Sequence, residues 1–113
     1  MGPFEKPVNT AVFTDYTSIV EQPIDLQQIE RRIKSNGYPT PEDFEYDIQL
    51  IFKNCETYNA TRNGQHLIAM AKYGARKFRM LFYNKLKAQL YETSSWPSAY
   101  LFKFIKHKLF YKL

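Results

Sequence analysis

Thr40-Pro41-Glu42-Asp43-Phe44 opens, and Asn54-Cys55-Glu56-Thr57-Tyr58-Asn59 closes, the stretch that decides the fold of this 113-residue chain. The opening is a strong helix start. Thr40 suits the N-cap, Pro41 the first helical position, and Glu42 and Asp43 the first turn, where acids face the positive end of the helix dipole. Phe44, Ile48, Ile51, Phe52 and Cys55 then recur at the spacing of one buried stripe. The run ends near Tyr58, and 60–64 follows as a polar loop. An Asn at a helix end usually serves as a cap or a left-handed residue. It can also turn its carboxamide into a cleft, where the NH2 donates to an uncharged carbonyl and the oxygen still accepts.

Outward from this helix, the chain reads as all-α. Residues 3–24 show no helical period and are punctuated by Pro3, Pro7 and Pro23. Long loops in compact domains are usually functional or disordered. This one is too apolar for disorder, with Phe4, Val8, Val12, Phe13, Tyr16, Ile19 and Val20, so it should pack and line something. A first helix is expected over 25–36, with Leu26, Ile29 and Ile33 inward, Asp25 as N-cap and Gly37 at C′. A third helix is expected from about Gln65 to about Tyr91. Leu67, Ala71, Ala75, Phe78, Phe82 and Leu86 lie on one side, and Gly74 suggests close helix–helix approach. Residues 92–97 break the pattern. A final helix is expected over 98–112, with Leu101, Phe102, Ile105, Leu109 and Leu113 on one face. Phe104, Phe110 and Tyr111 lie off that face, and a helix so apolar is normally buried.

Composition narrows the class. One domain of this length can hold a single core. One cysteine, Cys55, rules out an internal disulfide framework and fits a reducing compartment. With His66 and His107 distant, no zinc constellation is expected. No secretory leader and no membrane-spanning run are expected. Up to Tyr83, ten basic residues balance ten acidic ones. The net charge of +5 comes from Lys85, Lys87, Lys103, Lys106, Lys108 and Lys112 against Glu92. A basic tail is ordinarily a solvated face, though it also suits an acidic partner.

The order of elements and the spaced residues together resemble a bromodomain. Pro3-Phe4…Pro7-Val8 is similar to the shelf and first wall of that family's ZA loop. Asp15-Tyr16…Ile19-Val20-Glu21-Gln22-Pro23-Ile24-Asp25-Leu26 is similar to the end of that loop and the start of helix αA, with Ile24 where the family usually has Met. Tyr38…Asp43-Phe44…Asp47-Ile48…Ile51-Phe52…Asn54-Cys55…Tyr58-Asn59 is similar to αB and its end. Phe78 falls at a core aromatic of αC. The similarity covers residues 3 to about 86.

The resemblance implies a left-handed helical bundle and a binding module for acetylated lysine, non-catalytic and without a cofactor, most naturally reading histone H3 and H4 tails in a nucleus. It implies that Asn59 donates to the acetyl carbonyl and that Tyr16 reaches the same oxygen through a water. Phe4, Val8, Val12 and Phe13 would form the apolar wall, Cys55 and Tyr58 the floor. Leu67 would be the gatekeeper opening αC, but the loop after Asn59 is two residues longer than is common, which leaves Ile68 and His66 as alternatives. Without the resemblance, Tyr16 and Tyr58 would read as core tyrosines and Cys55 as a small buried hydrophobe.

Two features depart from the family. The chain begins at the Pro-Phe position, so the usual αZ helix is missing and an apolar groove on αA and αC should be left open. The extra helix over 98–112 is expected to cover that groove, either within the chain or exchanged between two chains in a homodimer. The chain then divides into a core over 1–92 and a linker with its terminal helix over 93–113. The alternative function is a degenerate scaffold used for dimerisation, or for DNA contact through Lys103, Lys106, Lys108 and Lys112. An enzyme is the least supported class, with no nucleophile–base set and no phosphate-cradling Gly loop.

Overall fold

The computed structural model describes residues 4–86 and 98–113, and every regular element within them is helical. Five α-helices follow one another: α1 (Tyr16–Ile19), α2 (Leu26–Lys34), α3 (Pro41–Ala60), α4 (Gln65–Leu81) and α5 (Ser98–Lys108). None of the described helices is long and apolar enough to cross a membrane.

The central pair is α3 and α4. Helix α3 starts with a full capping box. The Thr40 hydroxyl accepts from the Asp43 N–H, and the Asp43 carboxylate accepts from the Thr40 N–H. Phe44, Ile48, Ile51 and Phe52 are buried along its inner face. Ala71, Gly74, Phe78 and Leu81 are the buried residues of α4. The close approach expected at Gly74 is present: a Cβ placed there would lie 2.3 Å from the Phe52 ring.

Helix α2 has Asp25 as its N-cap, accepting from the Gln28 N–H at 3.2 Å. Its end is a Schellman motif with a different assignment from the sequence expectation. Asn36 takes the left-handed C′ position, with φ 61°, and Gly37 is C″. The Asn36 N–H donates to the Ile33 carbonyl and the Gly37 N–H to the Arg32 carbonyl. Gly37 is needed for space, since a Cβ there would meet the Arg32 side chain at 2.5 Å.

Other boundaries also differ. The long loop contains the single turn α1. Helix α3 runs to Ala60, two residues past Tyr58. The third expected helix is α-helical only to Leu81 and continues as a π-turn over Phe82–Leu86. Residues 87–91 of it, and the 92–97 break, lie outside the described residues. The last helix is α-helical to Lys108 and closes in a 3-10 turn, Phe110–Lys112. That turn explains Phe110: it swings an off-face residue inward, where it stacks on Phe52 at 5.4 Å.

Helix α5 packs against α2 of its own chain. Leu101, Phe102, Ile105, Leu109 and Phe110 join Leu26 and Ile29 of α2 in the one main core. Phe4 meets both Phe52 and Phe110 edge-on, at 5.6 and 6.0 Å. The Lys106 ammonium lies 4.0 Å from the Glu5 carboxylate. The groove beside α2 that the resemblance left open is therefore covered from within.

Candidate functional site

The loop before α2 is tied down along its length, and that is what shapes the site. At its start, the Phe4 and Glu5 carbonyls accept from the Leu26 and Gln27 N–H groups at 2.8 and 3.2 Å. These bonds satisfy two donors that a helix N-terminus leaves unpaired. Asn9 builds a turn, its side chain accepting from the Ala11 N–H at 3.0 Å and its carbonyl from Phe13 at 2.9 Å. At its end, the Gln22 carbonyl accepts from the Asn54 amide at 2.7 Å. A second, smaller core of Tyr16, Val20 and Tyr58 pins the middle of the loop to the last turns of α3.

Between this loop and the facing ends of α3 and α4 lies a cavity of about 720 Å³. Phe4, Val8, Phe13, Tyr16, Cys55, Tyr58, Asn59 and Leu67 all line it, so eight of the nine residues expected from sequence come together. Val12 is the correction. Its side chain is 66% exposed, because the Asn9 turn holds residue 12 on the outside of the loop and brings Phe13 toward Tyr58 instead. At the entry to α4, Leu67 lines the cavity. Ile68 is half-buried elsewhere and His66 is exposed.

Asn59 sits half-buried in the last turn of α3. Its NH2 donates to the Cys55 carbonyl at 2.8 Å and has a long contact, 3.6 Å, with the Cys55 sulfur. A guest carbonyl would compete only with the sulfur, a weak acceptor. Burial pushes the Cys55 thiol up, and the Asn59 bond opposes this in part. The thiol therefore stays protonated, donating to the Leu67 carbonyl at 3.5 Å, and is no nucleophile.

Tyr16 and Tyr58 meet edge-on at 4.9 Å. Burial holds the Tyr16 phenol above its ordinary value, so it is neutral and can donate. Its hydroxyl has no protein hydrogen-bond partner among the described residues. The Tyr58 hydroxyl is committed differently: it donates to Asp15 at 2.6 Å and accepts from Arg62 at 2.8 Å. Burial, and then the Asp15 hydrogen bond, push its phenol up.

Among the contributors that were not expected, three shape the site around Asn59 and its apolar lining. Gly64 is the first. Its N–H donates to the Asn59 carbonyl at 2.9 Å, and a Cβ on it would sit 2.6 Å from the Asn59 side-chain oxygen. Only a glycine lets the chain fold back over the Asn, after the left-handed turn at Asn63, φ 55°. Ile24 and Ile51 are the others, extending the apolar lining. Ile24 was legible only as a departure from the family pattern, and Ile51 reads equally well as core. Among the described residues no group of three His, Cys, Asp or Glu side chains could hold a metal ion.

The family model described as Bromodomain matches residues 1–72. The chain belongs to the bromodomain family. Curated relatives of this bromodomain include "Bromodomain adjacent to zinc finger domain protein 2" of Caenorhabditis elegans, 36% identical over 75% of the chain. "Histone acetyltransferase GCN5" of Yarrowia lipolytica is 40% identical over 50% of it. "Bromodomain-containing factor 1" of Candida albicans is 42% identical, also over 50%. The matched stretches span only 6, 12 and 8% of those three proteins, so the likeness is to one module of each.

Proposed function

We propose that this bromodomain binds acetylated lysine in the cavity between its loop and the ends of α3 and α4, on histone H3 and H4 tails in a nucleus. The observation that carries the reading is the pairing of Asn59 with Tyr16. One amide donor opposed by nothing stronger than a thiol sulfur, and one neutral phenol without a protein partner, line the same largely apolar cavity. Asn59 donates to the acetyl carbonyl, and Tyr16 reaches that oxygen through a bridging water. Phe4, Val8, Phe13 and Leu67 surround the methyl and the lysine stem.

The chemistry selects the modified residue. Acetylation removes the lysine charge, so the side chain enters without the cost of burying an ammonium. Unmodified lysine would set a cation of three donors against a donor amide. A neutral hydrogen bond contributes about 0.5–1.5 kcal/mol net. With a small apolar contact, affinity for a single mark is about micromolar to millimolar. Amide-resolved NMR during addition of Nε-acetyl-lysine tests the site. Shifts confined to Val8, Phe13, Cys55, Asn59 and Leu67 support it. Shifts centred on the α3–α4 groove at Tyr46 and Arg79 would place the site elsewhere.

A phosphate contact through the last helix is a second reading. Residues 98–113 hold four lysines and no acid, and Lys103, Lys108 and Lys112 are exposed. Lys106 leaves the set, because it is turned inward to Glu5 and over the Phe102 ring at 5.3 Å. DNA affinity carried this way falls steeply with salt. An affinity indifferent to salt would exclude it.

A further inference from the structure

Three charged side chains line the cavity: Glu5, Lys6 and Arg62. They are not equivalent. The Glu5 carboxylate faces Lys106 at 4.0 Å and has one oxygen fully buried, so it belongs to the packing of α5. Lys6 and Arg62 are exposed while still lining the cavity, which puts them on its rim. Among the described residues neither has a carboxylate within 4.0 Å.

Arg62 is also held in position. One of its N–H groups donates to the Tyr58 hydroxyl at 2.8 Å, and its guanidinium carbon lies 5.2 Å from the centroids of both Phe13 and Tyr58. Asp15 accepts from that same Tyr58 hydroxyl, one group removed from Arg62. A guanidinium fixed by a single bond keeps further N–H donors for two oxygens of an anion, and less side-chain entropy is lost when they are used.

We propose that this rim selects acetyl-lysine flanked by an anionic side chain, a carboxylate or a phosphate, and disfavours a basic flank. Arg62 is the specificity-determining residue and Lys6 supports it. The proposal deepens the acetyl-lysine reading and rests on it. Opposite charges at an exposed rim attract and like charges repel, so each flanking charge should change affinity by about two- to fivefold.

The test is calorimetric titration with four peptides identical except beside the acetyl-lysine, where they carry serine, glutamate, phosphoserine or lysine. Each is run on the wild type, Asn59→Ala, Arg62→Gln and the Lys6→Gln, Arg62→Gln double variant. The expected order is phosphoserine and glutamate above serine, and serine above lysine. The spread should narrow in Arg62→Gln, approach unity in the double variant, and shrink with added salt. The phosphoserine and glutamate arms show which anion the rim takes. Equal affinity for all four peptides, lost throughout in Asn59→Ala, would leave the acetyl-lysine reading standing and overturn the rim proposal. A spread that survives the double variant would overturn it too. No binding of any peptide would remove both.

Discussion

Asp47 is buried on α3 and serves two donors at once, the Tyr38 hydroxyl at 2.6 Å and the Arg32 guanidinium. Burial first, then the Asp47 hydrogen bond and charge, hold the Tyr38 phenol well above its ordinary value of 10.0. The unfolded chain therefore loses this proton before the folded one does. The stabilising contribution is full below about pH 10 and declines as pH rises further. Urea midpoints for the wild type should fall more steeply above about pH 10 than those for Tyr38→Phe, with the two profiles parallel below it. Profiles that stay parallel above it would show that Tyr38 does not carry the effect. At this scale the sequence was informative where residues stand in a recognisable spacing. Asn59, Tyr16 and Cys55 line the cavity, where the family resemblance, not their residue types alone, put them. The Asp15–Tyr58–Arg62 chain was not legible, because a bond between residues 43 apart depends on where the loop lies. Val12 failed for the same reason: a loop without a period does not reveal which side of it faces inward.

Helices α3 and α4 pack as they do because Gly74 leaves room for the Phe52 ring. That ring is also stacked on Phe110, so it cannot move aside freely. Gly74→Ala raises helix propensity, yet the overpacking should dominate and destabilise by about 1–3 kcal/mol. A denaturation midpoint equal to or above the wild type would refute this. Elements with several turns of apolar period were readable from sequence, and the strong Thr40-Pro41 start fixed one boundary to the residue. The turn Tyr16–Ile19 is too short to show a period. The π-turn over Phe82–Leu86 has the same side-chain pattern as a continued helix, so nothing in the sequence separates the two.

On the scale of the whole molecule, the last helix joins the core to the site. Phe110 contacts Phe4, and Phe4 also lines the cavity. Phe110→Ala should cost about 3–5 kcal/mol of stability, as for other fully packed aromatics. It should also weaken binding of an acetylated peptide, because Phe4 loses one of its two aromatic supports. A variant with wild-type stability would show that α5 is not part of the core. The sequence marked this helix as apolar enough to be buried but did not say which element it packs against; in the structure that is α2. A tertiary contact of this kind joins residues more than 70 positions apart, which no local pattern encodes.

In the proposed function, Asn59 makes this cavity a reader of acetylated lysine. Titration with acetylated and unacetylated histone H3 and H4 tail peptides, on the wild type, Tyr16→Phe and Asn59→Ala together, tests it most directly. The expected result is acetyl-dependent binding that Asn59→Ala abolishes with its helical content intact, and that Tyr16→Phe weakens less because a water mediates its contact. Binding that ignores acetylation, or that survives Asn59→Ala unchanged, would contradict it.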